Sequence, residues 1–128
     1  MRLLLDSCTF LWVALEPEQL SSAALKAVRD PDNDVLLSAV SAWEIGVKYA
    51  LGRLRLDEPP ARFVPKYREA QQIEALPLTE EAALHVHLLP PLHQDPFDRM
   101  LVCQAIVGGL VLVTPDPAIH DYPVRTLW

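Results

Sequence analysis

Two unbroken apolar runs frame the chain, Leu3-Leu4-Leu5 near its start and Leu110-Val111-Leu112-Val113 near its end. A strand without polar alternation buries both faces, the habit of a central strand in a parallel sheet rather than of a half-exposed antiparallel one. Val35 to Leu37 has the same character, Ala75 to Leu78 reads as a shorter strand, and Val124 to Trp128 as a last edge strand. Between these runs the apolar spacing becomes helical. Helices are predicted from Cys8 to Leu15 behind a Ser7 cap, from Ser21 or Ser22 to Arg29, from Ser41 to about Leu51, and from about Arg62 to Gln72. A Thr79-capped helix runs through Leu88, and a last one opens at Asp95-Pro96 and ends at Gly108-Gly109. The Asp30 to Asp34 cluster is a turn, Pro90-Pro91 breaks a helix, and Asp116-Pro117 starts a short helical turn. Strands alternating with helices predict an α/β domain around a central, mostly parallel sheet, with right-handed crossovers.

Composition narrows this further. A chain of 128 residues with 51% hydrophobic content suits one domain, residues 1–128, with a core covering both faces of a sheet. Cys8 and Cys103 both lie in apolar helical contexts, which predicts buried thiols in a reducing cytoplasm rather than a disulfide framework. Asp6 interrupts the first leucine run, and no small-x-small cleavage site follows it. The longest apolar region, Met100 to Val113, contains Gln104 and Gly108-Gly109 and falls short of the roughly 20 residues a membrane span needs. The expectation is a soluble, cytoplasmic protein with no membrane partner.

A net charge of −6 excludes a protein that holds nucleic acid by bulk electrostatics. Such a substrate would need metal ions or a local basic patch. Six of the eleven basic residues, Lys48, Arg53, Arg55, Arg62, Lys66 and Arg68, fall in one stretch, which fits either an RNA-guiding patch or a solvated surface.

In a parallel sheet every strand ends, and every crossover helix starts, on one edge, where ligands of open α/β folds bind. Asp6 follows the first strand, and Glu44 is expected in the first turn of the helix after the second. Asp95 and Asp98 open the helix before the Leu110 strand, and Asp116 follows that strand. Taken singly these acids have structural explanations. Ser41-Ala42-Trp43-Glu44 fits a capping box, Asp95 and Asp116 fit N-caps, and Asp98 suits a helix dipole. Taken together they repel, so a fold that converges them neutralises the cluster with a cation. Oxygen-only ligands select a hard ion, Mg²⁺ or Mn²⁺, which would also serve phosphodiester hydrolysis. Ser7 reads either as a helix cap or as a hydrogen-bond donor to Asp6 or a metal-bound water, and Thr114 invites the same pair of readings.

Four separated motifs resemble the PIN-domain ribonucleases, in particular the short VapC-type toxins of bacterial toxin–antitoxin systems. They are Leu4-Leu5-Asp6-Ser7; Ser41-Ala42-Trp43-Glu44-Ile45; His93 to Leu101 with its Asp95-Pro96-Phe97-Asp98 core, followed by Gln104-Ala105; and Thr114-x-Asp116. The resemblance covers essentially the whole chain. It implies a three-layer α/β/α fold and a metal-binding, catalytic quartet at Asp6, Glu44, Asp98 and Asp116, hydrolysing RNA through a metal-activated water. Asp98 is preferred over Asp95 because it stands seven residues before Ala105, which leaves Asp95 as cap, supporting residue or alternative ligand. The resemblance further implies a homodimer and a cognate antitoxin protein whose tail presents a basic side chain to the acidic site.

The remaining candidates are read against their structural alternatives. Lys48, Arg53 and Arg55 are possible RNA contacts. Arg99 is expected to brace Asp95 rather than meet a phosphate. Trp12, Trp43 and Tyr49 are expected in the core or a subunit interface rather than stacked on bases. His85 and His87, two apart, would point in different directions on a helix, and His93 fits a structural loop histidine. Two other readings stand beside the ribonuclease. One is a small-molecule phosphohydrolase using Asp6 covalently, weakened by the absence of a second acid in Asp6-Ser7-Cys8. The other is a non-catalytic RNA- or protein-binding module whose acids are only caps.

Overall fold

The computed structural model describes residues 1–92 and 94–128. His93 lies outside the described residues. Strands β1 (Arg2–Leu5), β2 (Asp34–Ser38), β3 (Glu74–Leu76), β4 (Val111–Val113) and β5 (Thr126–Leu127) form one sheet in the order β3-β2-β1-β4-β5. Every pairing is parallel, and Leu3 of β1 sits opposite both Val35 of β2 and Val111 of β4. The leucine run therefore occupies the sheet's centre, as its lack of polar alternation predicts.

Side chains leave a strand alternately, so the two faces of β1 feed two cores. Leu3 and Leu5 pack with Phe10, Val13, Ala24 and Phe63 from helices α1 (Ser7–Leu15), α2 (Ser22–Arg29) and α4 (Pro60–Ala70). Leu4 packs with Leu36, Leu112, Leu101, Val102 and Ala105, the last three from helix α6 (Pro96–Gly108). Helix α3 (Ala39–Ala50) contributes Ile45 to the first cluster and Val40 to the second, while Ala82 of the short α5 (Glu80–Leu84) is buried beside α6. The result is the three-layer α/β/α arrangement. Among the described residues no helix is long and apolar enough to cross a membrane.

Two helix starts differ from expectation, and both differences bear on the site. Helix α1 is capped by Asp6, whose Oδ1 accepts from Thr9 N at 2.7 Å, and Ser7 is its first residue. A carboxylate accepts more strongly than a hydroxyl, so Asp6 takes the cap and frees Ser7 for another partner. Helix α3 begins at Ala39 because Ser38, the last residue of β2, caps it through Val40 N at 2.9 Å. Glu44 thus lies in the second turn, and the Ser41–Glu44 capping box does not form. Ser41 is instead wholly buried, with no hydrogen-bond partner for its hydroxyl among the described residues.

The other caps follow the sequence. Ser21, Thr79 and Asp95 accept from backbone amides at the starts of α2, α5 and α6. Gly109 closes α6 at φ 64°, a left-handed conformation that glycine adopts without a Cβ clash. Gln104, buried inside α6, pairs with Ser38 and donates to Pro77 O at 3.2 Å, tying that helix to the end of β2.

Candidate active site

The chain builds β1, β2 and β3 outward in one direction, then crosses back to add β4 and β5 on the other side of β1. The carboxyl ends of β1 and β4 therefore flank the point where the topology reverses, the usual position of a ligand crevice in an open α/β sheet. A cavity of about 500 Å³ opens there, lined among others by Asp6, Glu44, Asp95, Asp98 and Asp116. All five acids predicted for this edge converge on one concave surface, brought by four segments that are distant in sequence.

Asp6 is the most enclosed of them, with 5% of its surface exposed. Besides Thr9 N on Oδ1, it accepts from Thr114 Oγ at 2.6 Å on Oδ2. Its own amide donates to Val113 O, and Thr9 Oγ donates to the same carbonyl at 3.1 Å, so the ends of β1 and β4 are stitched together at the acid. Burial pushes the Asp6 carboxyl above its usual range; the Thr114 and Thr9 hydrogen bonds oppose this, and the charge of Glu44 adds to it.

Glu44 is also buried at 5% exposure. Ser7 donates to its Oε1 at 2.6 Å, and Lys48, one turn along α3, pairs with its Oε2 at 2.5 Å. The hydroxyl predicted either to cap α1 or to serve Asp6 thus serves Glu44. The Lys48 ammonium is held above its usual pKa chiefly by that hydrogen bond, against some desolvation, with further support from Asp95 and Asp98.

Asp95 Oδ1 accepts from both Phe97 N at 2.9 Å and Asp98 N at 3.2 Å. Asp98 stands in the first turn of α6. Asp116 Oδ1 accepts from Ala118 N, and its amide donates to Thr114 Oγ at 3.1 Å, so Thr114 links Asp116 to Asp6. The N-termini of α1 and α6 both begin at cavity acids, and their positive ends offset part of the negative charge.

Several expectations are corrected. Cys8 is exposed and lines the cavity instead of being buried, because α1 starts at Ser7 and turns its second residue outward. Partial burial and the nearby Asp6 push its thiol up to about 11, so it stays protonated at neutral pH. Trp43 is 62% exposed and meets Phe97 edge-on at 4.8 Å, while Tyr49 is 37% exposed, so of the two places expected for them the core is excluded and a subunit interface stays open. Trp12, by contrast, packs against the core as expected, half-buried against Trp128 at the border of the cavity. Among its described contacts, Arg99 directs its guanidinium to Pro90 O and Tyr122 Oη, both at 3.0 Å, which ties Pro90 to the C-terminal segment and leaves the expected brace to Asp95 open.

Of the basic candidates, Lys48 and Arg53 line the cavity, whereas the described lining does not include Arg55. Lys66 pairs with Glu58, and Arg68 donates to Ile73 O. Thr9 and Cys8 had no functional signal in the sequence. Thr9 could have been found only as the third residue after an aspartate cap, the position whose amide such a cap binds.

The lining acids offer only oxygen donors, and two are buried side by side with the burden of desolvation visible on Asp6. That donor set fits a hard divalent cation. Among the described residues no three histidine, cysteine or acidic side chains already stand close enough to form a ligand cluster. Mg²⁺ does not require one, since it binds through one or two carboxylates and keeps several waters.

Buried acids at the switch point of a parallel sheet form a carboxylate-lined crevice on an open α/β scaffold. Comparison with known proteins makes the class specific. The PIN domain model matches residues 3–124. Ribonuclease VapC22 of Mycobacterium tuberculosis is 31% identical over 130 residues, covering 98% of this chain and 97% of that protein. The chain belongs to the PIN-domain family and, within it, to the VapC-type ribonucleases. Among solved structures, VapBC2 from Rickettsia felis bound to a DNA fragment from its promoter shares the fold with a TM-score of 0.73 at 14% identity, covering 99% of this chain and 98% of that one. DNA-bound VapBC from Salmonella typhimurium does so with a TM-score of 0.63 at 19% identity, covering 99% and 97%.

Proposed function

We propose that this chain is a Mg²⁺- or Mn²⁺-dependent endoribonuclease acting as the toxin of a toxin–antitoxin pair, with residues 1–128 as one nuclease domain working in the cytoplasm. The observation that carries the reading is the meeting of Asp6, Glu44, Asp98 and Asp116, from four separated segments, on one cavity. Kinship with a ribonuclease along nearly its whole length supports the reaction class. The neighbouring structures, which are VapBC assemblies, support a cognate antitoxin partner.

The four acids would hold the cation, which supplies stabilisation of charge on the phosphoryl oxygens and acidifies water at the site. The chain's own residues do the positioning. Thr114 and Thr9 hold Asp6 in one orientation, and Ser7 holds Glu44. Asp95 keeps the start of α6 in place, so that Asp98 is presented from a fixed first turn. Lys48 and Arg53, at the same cavity, offer positive charge to an RNA backbone that the acidic surface would otherwise repel. A homodimer, carried from the family resemblance, would bring two such sites into one assembly.

The phosphohydrolase alternative would need Asp6 as a nucleophile. Its two oxygens are engaged by Thr9 and Thr114 and it is almost fully enclosed, which disfavours that role. The non-catalytic alternative treats the acids as caps, yet Glu44 caps nothing and is buried.

Purified protein is to be incubated with RNA in Mg²⁺ or Mn²⁺, then with chelator, beside Asp6→Asn, Glu44→Gln and Asp98→Asn variants. Cleavage should require the ion and fall by at least about a hundredfold in each variant, the usual scale for a group that stabilises transition-state charge. Cleavage that survives chelator, or that the three variants leave unchanged, sinks the reading. Co-expression with a small protein encoded beside it should yield a complex with suppressed activity.

A further inference from the structure

Each oxygen of the two buried acids has a donor. Asp6 is served by Thr9 N and Thr114 Oγ, and Glu44 Oε1 by Ser7 Oγ, all of them neutral groups. Glu44 Oε2 differs, because its partner is the ammonium of Lys48. The two residues stand four apart on α3 with the glutamate on the N-terminal side, the orientation in which a helix brings such a pair together of its own accord. Their surroundings are unequal: the Glu44 side chain is 6% exposed and that of Lys48 is 48% exposed. The acid is fixed in the cavity wall, while the base reaches it on a flexible stem from half in solvent.

We propose that Lys48 is the resident counter-ion of the acidic cavity, which a divalent cation must displace from Glu44 and which then turns to meet substrate phosphate. The inference rests on the metal-dependent reading above and deepens it. The neutral donors on Asp6 and on Glu44 Oε1 can stay in place when a cation arrives, since an oxygen has lone pairs to spare and a hydroxyl brings no net charge. An ammonium cannot stay so easily, because two cations on one carboxylate oxygen repel strongly at a few ångströms. Cation and Lys48 therefore compete for Glu44 Oε2, and the apparent metal affinity is reduced by the fraction of molecules in which that oxygen is free. Once released, Lys48 remains on the cavity wall, with Arg53 on the same lining. The negative charge that attracted it has been partly cancelled by the metal, and a phosphate is the next anion available. The exchange would keep the acids from repelling one another before metal binds and supply a phosphate contact only after the site is loaded.

The test is titration calorimetry of MnCl₂ into the full chain, free of antitoxin, for the wild type, Lys48→Met, Lys48→Gln and Lys48→Arg, with thermal melts of each protein with and without MnCl₂. Lys48→Met and Lys48→Gln should bind Mn²⁺ about three- to tenfold more tightly than the wild type, the scale of a partly exposed ion pair, and Lys48→Arg should not. Without metal the two neutral variants should melt below the wild type, and saturating Mn²⁺ should close that gap. Binding by the wild type that the neutral variants leave unchanged or weaken overturns this inference alone. A lysine with a merely structural role would lower the melting temperature at every metal concentration without tightening the metal. Absence of Mn²⁺ binding in wild type and variants alike overturns both this inference and the metal-dependent reading.

Discussion

The hydroxyl of Thr114 donates to Oδ2 of Asp6 across 2.6 Å, joining residues 108 positions apart. With Thr9 Oγ on Val113 O, it closes β4 onto β1 at the mouth of the cavity, and it aims one carboxylate oxygen while Thr9 N aims the other. Through its own oxygen Thr114 also accepts from Asp116 N, so one hydroxyl sets the relation of two cavity acids.

Thr114→Val keeps the shape and removes that hydroxyl. A buried carboxylate oxygen then loses its donor, which should destabilise the protein by about 1–3 kcal/mol. Urea unfolding measures this, and a double-mutant cycle with Asp6→Asn should show coupling between the two sites. Strictly additive effects would mean that the bond contributes nothing to stability.

Asp6 titrates with a raised pKa in the folded protein because burial penalises its charged form. Between the unfolded value and the raised folded value the native state binds the extra proton, so this group's contribution to stability falls as pH rises through that window. At neutral pH the charged Asp6 is a burden on the metal-free protein. Asp6→Asn should therefore raise its melting temperature at pH 7.5 by roughly 3–6 °C, the scale of about 1 kcal/mol in a small domain. The advantage should shrink as pH is lowered through the folded pKa towards the ordinary carboxylate value of 3.8. A gain that does not depend on pH would show that desolvation of the charge is not its cause.

Asp95 and Asp98 are three residues apart with different duties. Asp95 accepts from two backbone amides at the start of α6, so Asp95→Ala should cost about 1 kcal/mol of stability, as loss of an N-cap does. Asp98 lines the cavity from the first turn of α6, where Asp95 is the cap, so Asp98→Asn should act chiefly on cleavage and cost less stability than Asp95→Ala. Denaturation and RNA cleavage measured on both variants separate the roles. A reversed pattern would make Asp95 the ligand.

Cys8 reports on the cavity from its rim. With the thiol pushed up to about 11, alkylation by iodoacetamide near pH 8 should be slow and should keep rising up to that value, since the thiolate is the reactive form. Burial is the main cause and the charge of Asp6 the next, so Asp6→Asn should lower the apparent pKa of Cys8 and speed its labelling at pH 8. Bound Mg²⁺ should act in the same direction. Labelling indifferent to both would place Cys8 outside the field of the acids.

What the sequence determined by itself was local. The unbroken Leu3-Leu4-Leu5 and Leu110 to Val113 runs announced strands buried on both faces, and Asp95-Pro96 and Gly108-Gly109 marked both ends of α6, because burial and cap chemistry act within a few residues. From parallel strands it followed that Asp6, Glu44, Asp98 and Asp116 would face one edge, and family resemblance singled out those four. Tertiary structure decided the rest. Only the order β3-β2-β1-β4-β5 makes β1 and β4 neighbours and lets Thr114 reach Asp6, since strand order depends on how the two cores pack and not on any one segment. The choice of Ser38 over Ser41 as the cap of α3 depended on how far β2 stays paired with β3, and it moved Glu44 from a cap to a buried wall. The same packing sent Ser7 to Glu44, brought Lys48 and Arg53 to the cavity and turned Cys8 outward, because a side chain's partner is set by what the neighbouring elements leave beside it.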